Sequence, residues 1–74
     1  MEIDRDTQNQ WILGEKLPGV GFCMNQRVRV TRGECAGAVG TLISIFELGD
    51  DPGFQMETDR GRDLCVKQSE LEAV

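Results

Sequence analysis

Hydrophobic and polar residues alternate in two stretches of the chain, which is the pattern of half-buried β-strands. In the run NQRVRVTR, Val28 and Val30 alternate with arginines. In the run FQMETD, Phe54, Met56 and Thr58 alternate with polar side chains. The apolar, β-branched run TLISIFEL and the shorter run RDLCV predict two further strands, so four strands follow from the pattern.

Turn-forming residues separate these strands. Three glycines lie within GECAGAVG, and glycine accommodates the tight, twisted turn that joins two strands. GDDPG and the pair Arg60-Gly61 predict the next two turns. Near the C-terminus, Ser69 is a candidate cap for one helical or 3-10 turn, after which Leu71 and Val74 are expected to close the sheet.

The N-terminal residues fit neither the helical nor the strand period. We expect residues 1–12 to form an extension or a short helical turn, and residues 13–74 to form one domain. Trp11 is the only tryptophan in the chain. Tryptophan is common in binding hot spots, so Trp11 is a candidate exposed anchor for a partner. The alternative, which we favour, is that it packs in the core or covers an edge.

Short strands joined by hairpins predict an all-β fold. Meandering strands of this length protect their edges by curling into a barrel. A chain of 74 residues forms one domain with a small core.

The glycine-rich segment at residues 25–46 resembles the KOW motif, which is found in ribosomal proteins and transcription elongation factors. The residues that carry this resemblance are Val28, Val30, Gly33, Gly37, Gly40, Leu42 and Ile45. The resemblance implies a small SH3-like barrel of about five strands, with a short 3-10 turn near the C-terminus. In that family the central glycine lies in the loop between two strands, and basic residues of the strand and loop bind nucleic acid. Here Glu34 stands in the loop where a basic residue is expected.

Charge shifts the expected partner from nucleic acid toward protein. The formal net charge is −5, whereas nucleic-acid binding draws on Lys and Arg contacts with phosphates. A negative protein associates more readily with a basic protein surface.

The composition predicts no metal, no cofactor and no membrane span. The chain has three cysteines and no histidine, so it lacks the ligands of a zinc site. We expect Cys23, Cys35 and Cys65 to be half-buried apolar residues in a reducing compartment. The N-terminus is acidic and polar, unlike a signal peptide, and no apolar run reaches the ~18 residues of a membrane span. A cytoplasmic location is therefore expected.

Catalytic chemistry is not expected either. Glu57 with Asp59, or Asp59 with Asp63, could act as an acid–base pair only in a cleft that separates their pKa values. Exposed strand positions offer no cleft, and no histidine is present to activate a serine. An oligomeric enzyme would need a pocket built wholly at subunit interfaces, so it is the least favoured alternative.

The sequence thus favours a non-catalytic bacterial protein-interaction domain. Its most concrete form is an acidic immunity or inhibitor protein that neutralises a basic, nuclease-like toxin. Besides Trp11, the predicted binding residues are Glu47, Asp50, Asp51, Glu57, Asp59 and Asp63. Ordinary solubilising charge and turn-forming aspartates are the simpler interpretation of this acidic set.

The rival hypothesis is a KOW-type RNA- or ribosome-binding protein. Its candidate phosphate contacts are Arg27, Arg29, Arg32, Arg60 and Arg62. The simpler interpretation of the first three is that they lie on the solvated face of a strand and pair with acids such as Glu57 or Asp59.

Overall fold

The computed structural model describes residues 2–74, which contain five antiparallel β-strands, one short α-helix and a 3-10 turn joined by loops. The prediction of an all-β fold with about five strands and a 3-10 turn near the C-terminus is confirmed. The elements are α1 (Arg5–Ile12), β1 (Arg27–Val30), β2 (Val39–Glu47), β3 (Gly53–Thr58), β4 (Asp63–Lys67), the 3-10 turn (Gln68–Glu70) and β5 (Leu71–Ala73). No helix among residues 2–74 is long and apolar enough to cross a membrane.

The strands form one sheet in the order β4-β3-β2-β1-β5. β2 is the longest strand and pairs with β1 on one side and β3 on the other. Its register with β3 shifts twice, between Leu42 and Ser44 and between Ile45 and Glu47. Such irregularities bend a strand and increase its twist, so the sheet curves around a small core.

The inward-facing residues of the strands are the ones that the alternation predicts. Val28 and Val30 are buried while the arginines of β1 are exposed, and Leu64 and Val66 of β4 face opposite to Asp63. The core consists of Trp11, Val28, Val30, Leu42, Ile45, Phe54, Met56, Val66 and Leu71. The alternating pattern therefore identified the buried faces of β1, β3 and β4.

The N-terminal segment departs from the prediction. Instead of a single turn, α1 has eight residues and begins at the cap Asp4, whose carboxylate accepts a hydrogen bond from the Thr7 N–H at 2.7 Å. This bond lowers the pKa of Asp4. Trp11 is 1% exposed and packs against Phe54, with 5.6 Å between ring centroids. Residues 2–12 are therefore part of the core-forming domain, and Met1, which the prediction also included, lies outside the described residues.

α1 also covers an edge of the sheet. β1 pairs only with the start of β2, so the second half of β2 has no strand on that side. The Gln8 side-chain amide donates there to the Ile45 carbonyl at 2.8 Å and to the Ser44 hydroxyl at 2.9 Å. Glu2 forms a β-bridge with Glu47 further along the same edge. The N-terminal segment thus satisfies backbone groups that would otherwise form an open edge.

The three cysteines are exposed, contrary to the expectation that they are half-buried. Cys65 lies on the outer face of β4, and Cys23 and Cys35 lie in loops. A second correction concerns the C-terminal turn. It begins after Lys67 rather than at Ser69, and Val74 is 61% exposed, so Leu71 alone contributes to the core there.

Gly40 serves close packing within the sheet rather than a turn. It is buried in β2 between Val28 of β1 and Thr58 of β3. A Cβ atom at this position would overlap the Glu57 carbonyl oxygen and lie 2.7 Å from the Thr58 Cα. Strands β2 and β3 can therefore approach each other only because residue 40 has no side chain.

We expect Gly40→Ala to destabilise the fold by about 1–3 kcal/mol, the usual cost of overpacking. Urea denaturation followed by tryptophan fluorescence measures the change. Gly21→Ala is the matched control, because the nearest atom to a Cβ there is 3.6 Å away. Equal free energies of unfolding for the two variants would contradict the prediction, because they would mean that β2 and β3 can move apart without loss of stability.

Trp11→Ala should lower the free energy of unfolding by about 3–5 kcal/mol, as expected for removal of a buried aromatic ring. The variant also loses the 2.9 Å hydrogen bond from the indole N–H to the Phe22 carbonyl. Trp11→Phe keeps a ring in the core and should lose less stability. Urea denaturation followed by far-UV circular dichroism compares the three proteins. A loss below about 1 kcal/mol in Trp11→Ala would contradict the placement of α1 in the core.

Candidate functional site

Two carboxylates face each other on the outer surface of β3 and β4. Glu57 and Asp63 are register partners. The neighbouring Thr58 N–H donates to the Arg62 carbonyl at 2.7 Å, so Glu57 and Asp63 occupy a non-hydrogen-bonded position, where side chains lie closest. Neither carboxylate has an ion-pair partner among residues 2–74. Like charges directly opposite each other destabilise a sheet, so this pair has an unfavourable effect on the fold.

Three other acids of the predicted set have intramolecular partners. Glu47 pairs with Lys67. Asp51 accepts hydrogen bonds from the Ser69 N–H at 2.8 Å and the Ser69 hydroxyl at 2.7 Å. The third acid, Asp59, pairs with Arg27. Their charge is thus partly used within the fold, whereas Asp50 has no such partner among residues 2–74.

The predicted acidic set is divided between two ends of the sheet. Glu47, Asp50 and Asp51 lie at the β2–β3 turn, and the other three acids lie toward the β3–β4 turn. Glu57 lies four positions along β3 from Gly53, which is opposite Glu47, and this corresponds to roughly 13 Å of strand. A continuous surface of six carboxylates is therefore not formed. Glu57 and Asp63 are the two acids without an internal partner that face each other.

Arg27 and Arg29 of β1, and Arg32 just after it, bond to other side chains. Arg27 binds both carboxylate oxygens of Asp59, at 2.8 and 2.9 Å, as the simpler interpretation of these arginines predicted. Arg29 pairs with Glu72 at 2.8 Å, and Arg32 donates to the Ser69 hydroxyl at 2.7 Å. The hydrogen bonds from Arg27 hold the pKa of Asp59 below its ordinary value, and those from Ser69 do the same for Asp51.

A groove of about 620 Å³ lies between the glycine-rich loop and the β3–β4 turn. Its lining includes apolar residues such as Val39 and Leu64, and the charged residues Arg60 and Arg62. The Asp59 N–H donates to the Val39 carbonyl at 3.0 Å, which holds the two sides of the groove together. The sequence predicted both turns but not their proximity, since no local pattern reports it.

One residue of the predicted binding set, Trp11, does not lie at the surface. Trp11 is buried, so it is not an exposed anchor for a partner. Among residues 2–74, no three Cys, Asp or Glu side chains are placed to hold a metal ion. The candidate site is therefore the outer face of β3 and β4 around Glu57 and Asp63.

Low pH should weaken the hydrogen bonds by which Asp51 of the β2–β3 turn holds Ser69 of the 3-10 turn. A carboxylate with a lowered pKa stabilises the fold above its ordinary pKa of 3.8, and this stabilisation is lost as the pH falls through the lowered value. We therefore expect Asp51→Asn to be less stable than the wild type at pH 7, and the difference to shrink as the pH falls below 3.8. Urea denaturation at several pH values measures the difference.

The control for this prediction is Asp50→Asn, which removes the adjacent charge at a residue without a hydrogen-bond partner among residues 2–74. Its stability should run parallel to that of the wild type over the same pH range. A gap between Asp51→Asn and the wild type that stays constant as the pH falls below 3.8 would assign the loss to geometry rather than to charge.

No family model, no curated protein and no solved structure matches the chain. The roles proposed below therefore rest on the positions and partners of its own side chains.

Proposed function

We propose that the chain is a small SH3-like barrel of the KOW kind and that it acts as a non-catalytic protein-interaction domain. The sheet order β4-β3-β2-β1-β5 supports this fold, as does the glycine-rich loop between β1 and β2. The 3-10 turn directly before the last strand is the further feature that the resemblance implies. The proposed binding face is the outer surface of β3 and β4.

The observation that carries the proposal is the uncompensated pair Glu57 and Asp63. The fold would be more stable if either residue were neutral or basic, because like charges face each other. A partner that places a Lys or Arg between the two carboxylates would convert this repulsion into attraction. The pair is therefore better suited to binding than to stability.

The most concrete form of this proposal is an acidic immunity or inhibitor protein in the bacterial cytoplasm, directed against a basic, nuclease-like toxin. The net charge of −5 would accelerate encounter with such a partner. The engagement of Arg27 and Arg29 with acids supports it further, because these arginines leave little free positive charge on β1.

An RNA- or ribosome-binding role remains the second candidate, with one observation in its favour. Arg60 and Arg62 line the groove and have no acidic partner among residues 2–74. Two free arginines supply few phosphate contacts, whereas affinity for nucleic acid grows with the number of contacts. We therefore rank this role below protein binding.

The experiment that tests the proposed function reverses the charge at Glu57. In Glu57→Lys the new side chain lies opposite Asp63, so the fold should be at least as stable as the wild type. A basic protein captured from the native host is purified, and its association rate is measured at low and high salt. We expect the rate constant to fall at least about tenfold at low salt in Glu57→Lys, and the difference to shrink at high salt.

Glu15→Lys is the matched control, because it changes the net charge equally at an exposed residue in the loop after α1. An equal fall in rate for both variants would mean that net charge, rather than the β3–β4 face, steers association. A salt-sensitive affinity for labelled RNA that is lost in Arg60→Glu/Arg62→Glu would favour the second candidate instead.

A further inference from the structure

β4 is an edge of the sheet, with a neighbouring strand on one side only. Its register with β3 is regular, and hydrogen bonds flank it at Thr58–Arg62 and at Gln68–Pro52. By the alternation of an antiparallel ladder, Leu64 and Val66 bond to β3. The N–H and C=O groups of Asp63 and Cys65 therefore point away from the sheet, toward solvent.

This edge has few of the features that usually block strand addition. Within β4 there is no proline, no bulge and no shift in register, and Asp63 and Cys65 are both exposed. Proteins commonly protect edges with proline, bulges, covering segments or charges. Here the only charged side chains of the strand are Asp63 and Lys67, one at each end.

We propose that β4 is a self-association surface on which a second copy of this chain adds its own β4 in antiparallel orientation, centred on Cys65. Such a pairing has twofold symmetry, so a residue before Cys65 in one copy faces the residue equally far after Cys65 in the other copy. Asp63 then lies opposite Lys67 of the other copy, and Cys65 lies opposite Cys65. The two sheets become one continuous sheet across the axis.

Charge complementarity selects the second copy as the occupant. The sequence DLCVK of β4 has opposite charges at equal distances from its centre, so reversal of the strand brings each charge against its opposite. Asp63 has no cation partner among residues 2–74 and faces Glu57. Lys67 of the second copy, which pairs with Glu47 within its own chain, must turn toward Asp63 to relieve that repulsion. Opposite charges across strands stabilise their pairing.

The apolar face of β4 is complementary in the same register. Leu64 is only partly buried and would lie opposite Val66 of the other copy, which extends the core across the axis. A register centred one residue away, on Leu64 or Val66, places Asp63 opposite Cys65 or opposite Ser69 and pairs no opposite charges. The register centred on Cys65 is therefore the one that pairs the outer backbone groups, brings opposite charges together and places Leu64 against Val66.

The inference is independent of the proposed function, because its test needs no other partner. The first measurement is sedimentation of the purified chain in reducing buffer. A five-residue edge is short, so we expect weak association, with the average mass rising from 8.2 kDa toward twice that value between about 10 µM and 1 mM. A constant mass of 8.2 kDa over this range would overturn the proposal.

The second measurement tests the register with a short-arm bismaleimide, which links two thiols by adding each sulfur to a maleimide double bond. Cys65 is tested in Cys23→Ser/Cys35→Ser, and Cys35 in the matched variant Cys23→Ser/Cys65→Ser. In the symmetric pair the two Cys65 Cα atoms are ~5.5 Å apart. We expect cross-linking at Cys65 to be at least about tenfold faster than at Cys35, whereas equal rates would contradict the assignment of the axis.

Charge exchange gives the third measurement and distinguishes specific pairing from chance contact. Asp63→Lys and Lys67→Asp should each abolish self-association, because each places like charges opposite each other across the axis. A 1:1 mixture of the two variants should associate, since both facing pairs are then of opposite sign. Circular dichroism verifies that each variant is folded. Association of Asp63→Lys alone, or no association of the mixture, would overturn the proposal.

Discussion

The fold depends on the contact between Trp11 and Phe54, because five short strands do not enclose the core by themselves. β2 is shared between β1 and β3, and its second half has no partner on the β1 side. α1 covers that side, and Trp11 fills the space above Phe54 with 5.6 Å between the ring centroids. A small chain buries a limited fraction of its surface, so one large aromatic side chain has a correspondingly large share of the stability.

The two sides of the sheet differ in how completely their polar groups are paired. On the side of β1 and β5, Arg27 and Arg29 are bonded to acids, and α1 covers the open part of β2. On the side of β3 and β4, the carboxylates of Glu57 and Asp63 face each other without a cation among residues 2–74. The outer backbone groups of β4 are on the same side. The two facing carboxylates and the unpaired backbone groups of β4 therefore lie on the same side of the sheet, which is why both proposed interactions involve it.

Local patterns determined much of the fold because strands and turns are local in origin. Alternation with period two identified the buried faces of β1, β3 and β4, and the turn residues identified where the strands end. The helix was underestimated because its one decisive residue, Trp11, is buried by contacts outside the segment. A period cannot be recognised in a helix of eight residues with a single buried side chain.

The composition and the order of residues alone determined an acidic, all-β chain with a small core and glycine-dependent turns. Only the tertiary structure decided which charges neutralise each other and which remain free. Arg27 and Asp59 are 32 positions apart in the chain, and Arg29 and Glu72 are 43 apart, so their pairing follows from strand order and register. The same register placed Glu57 opposite Asp63 and exposed Cys65 on an open edge. The two register shifts of β2 bend the sheet, and no local pattern of residues indicates where they fall.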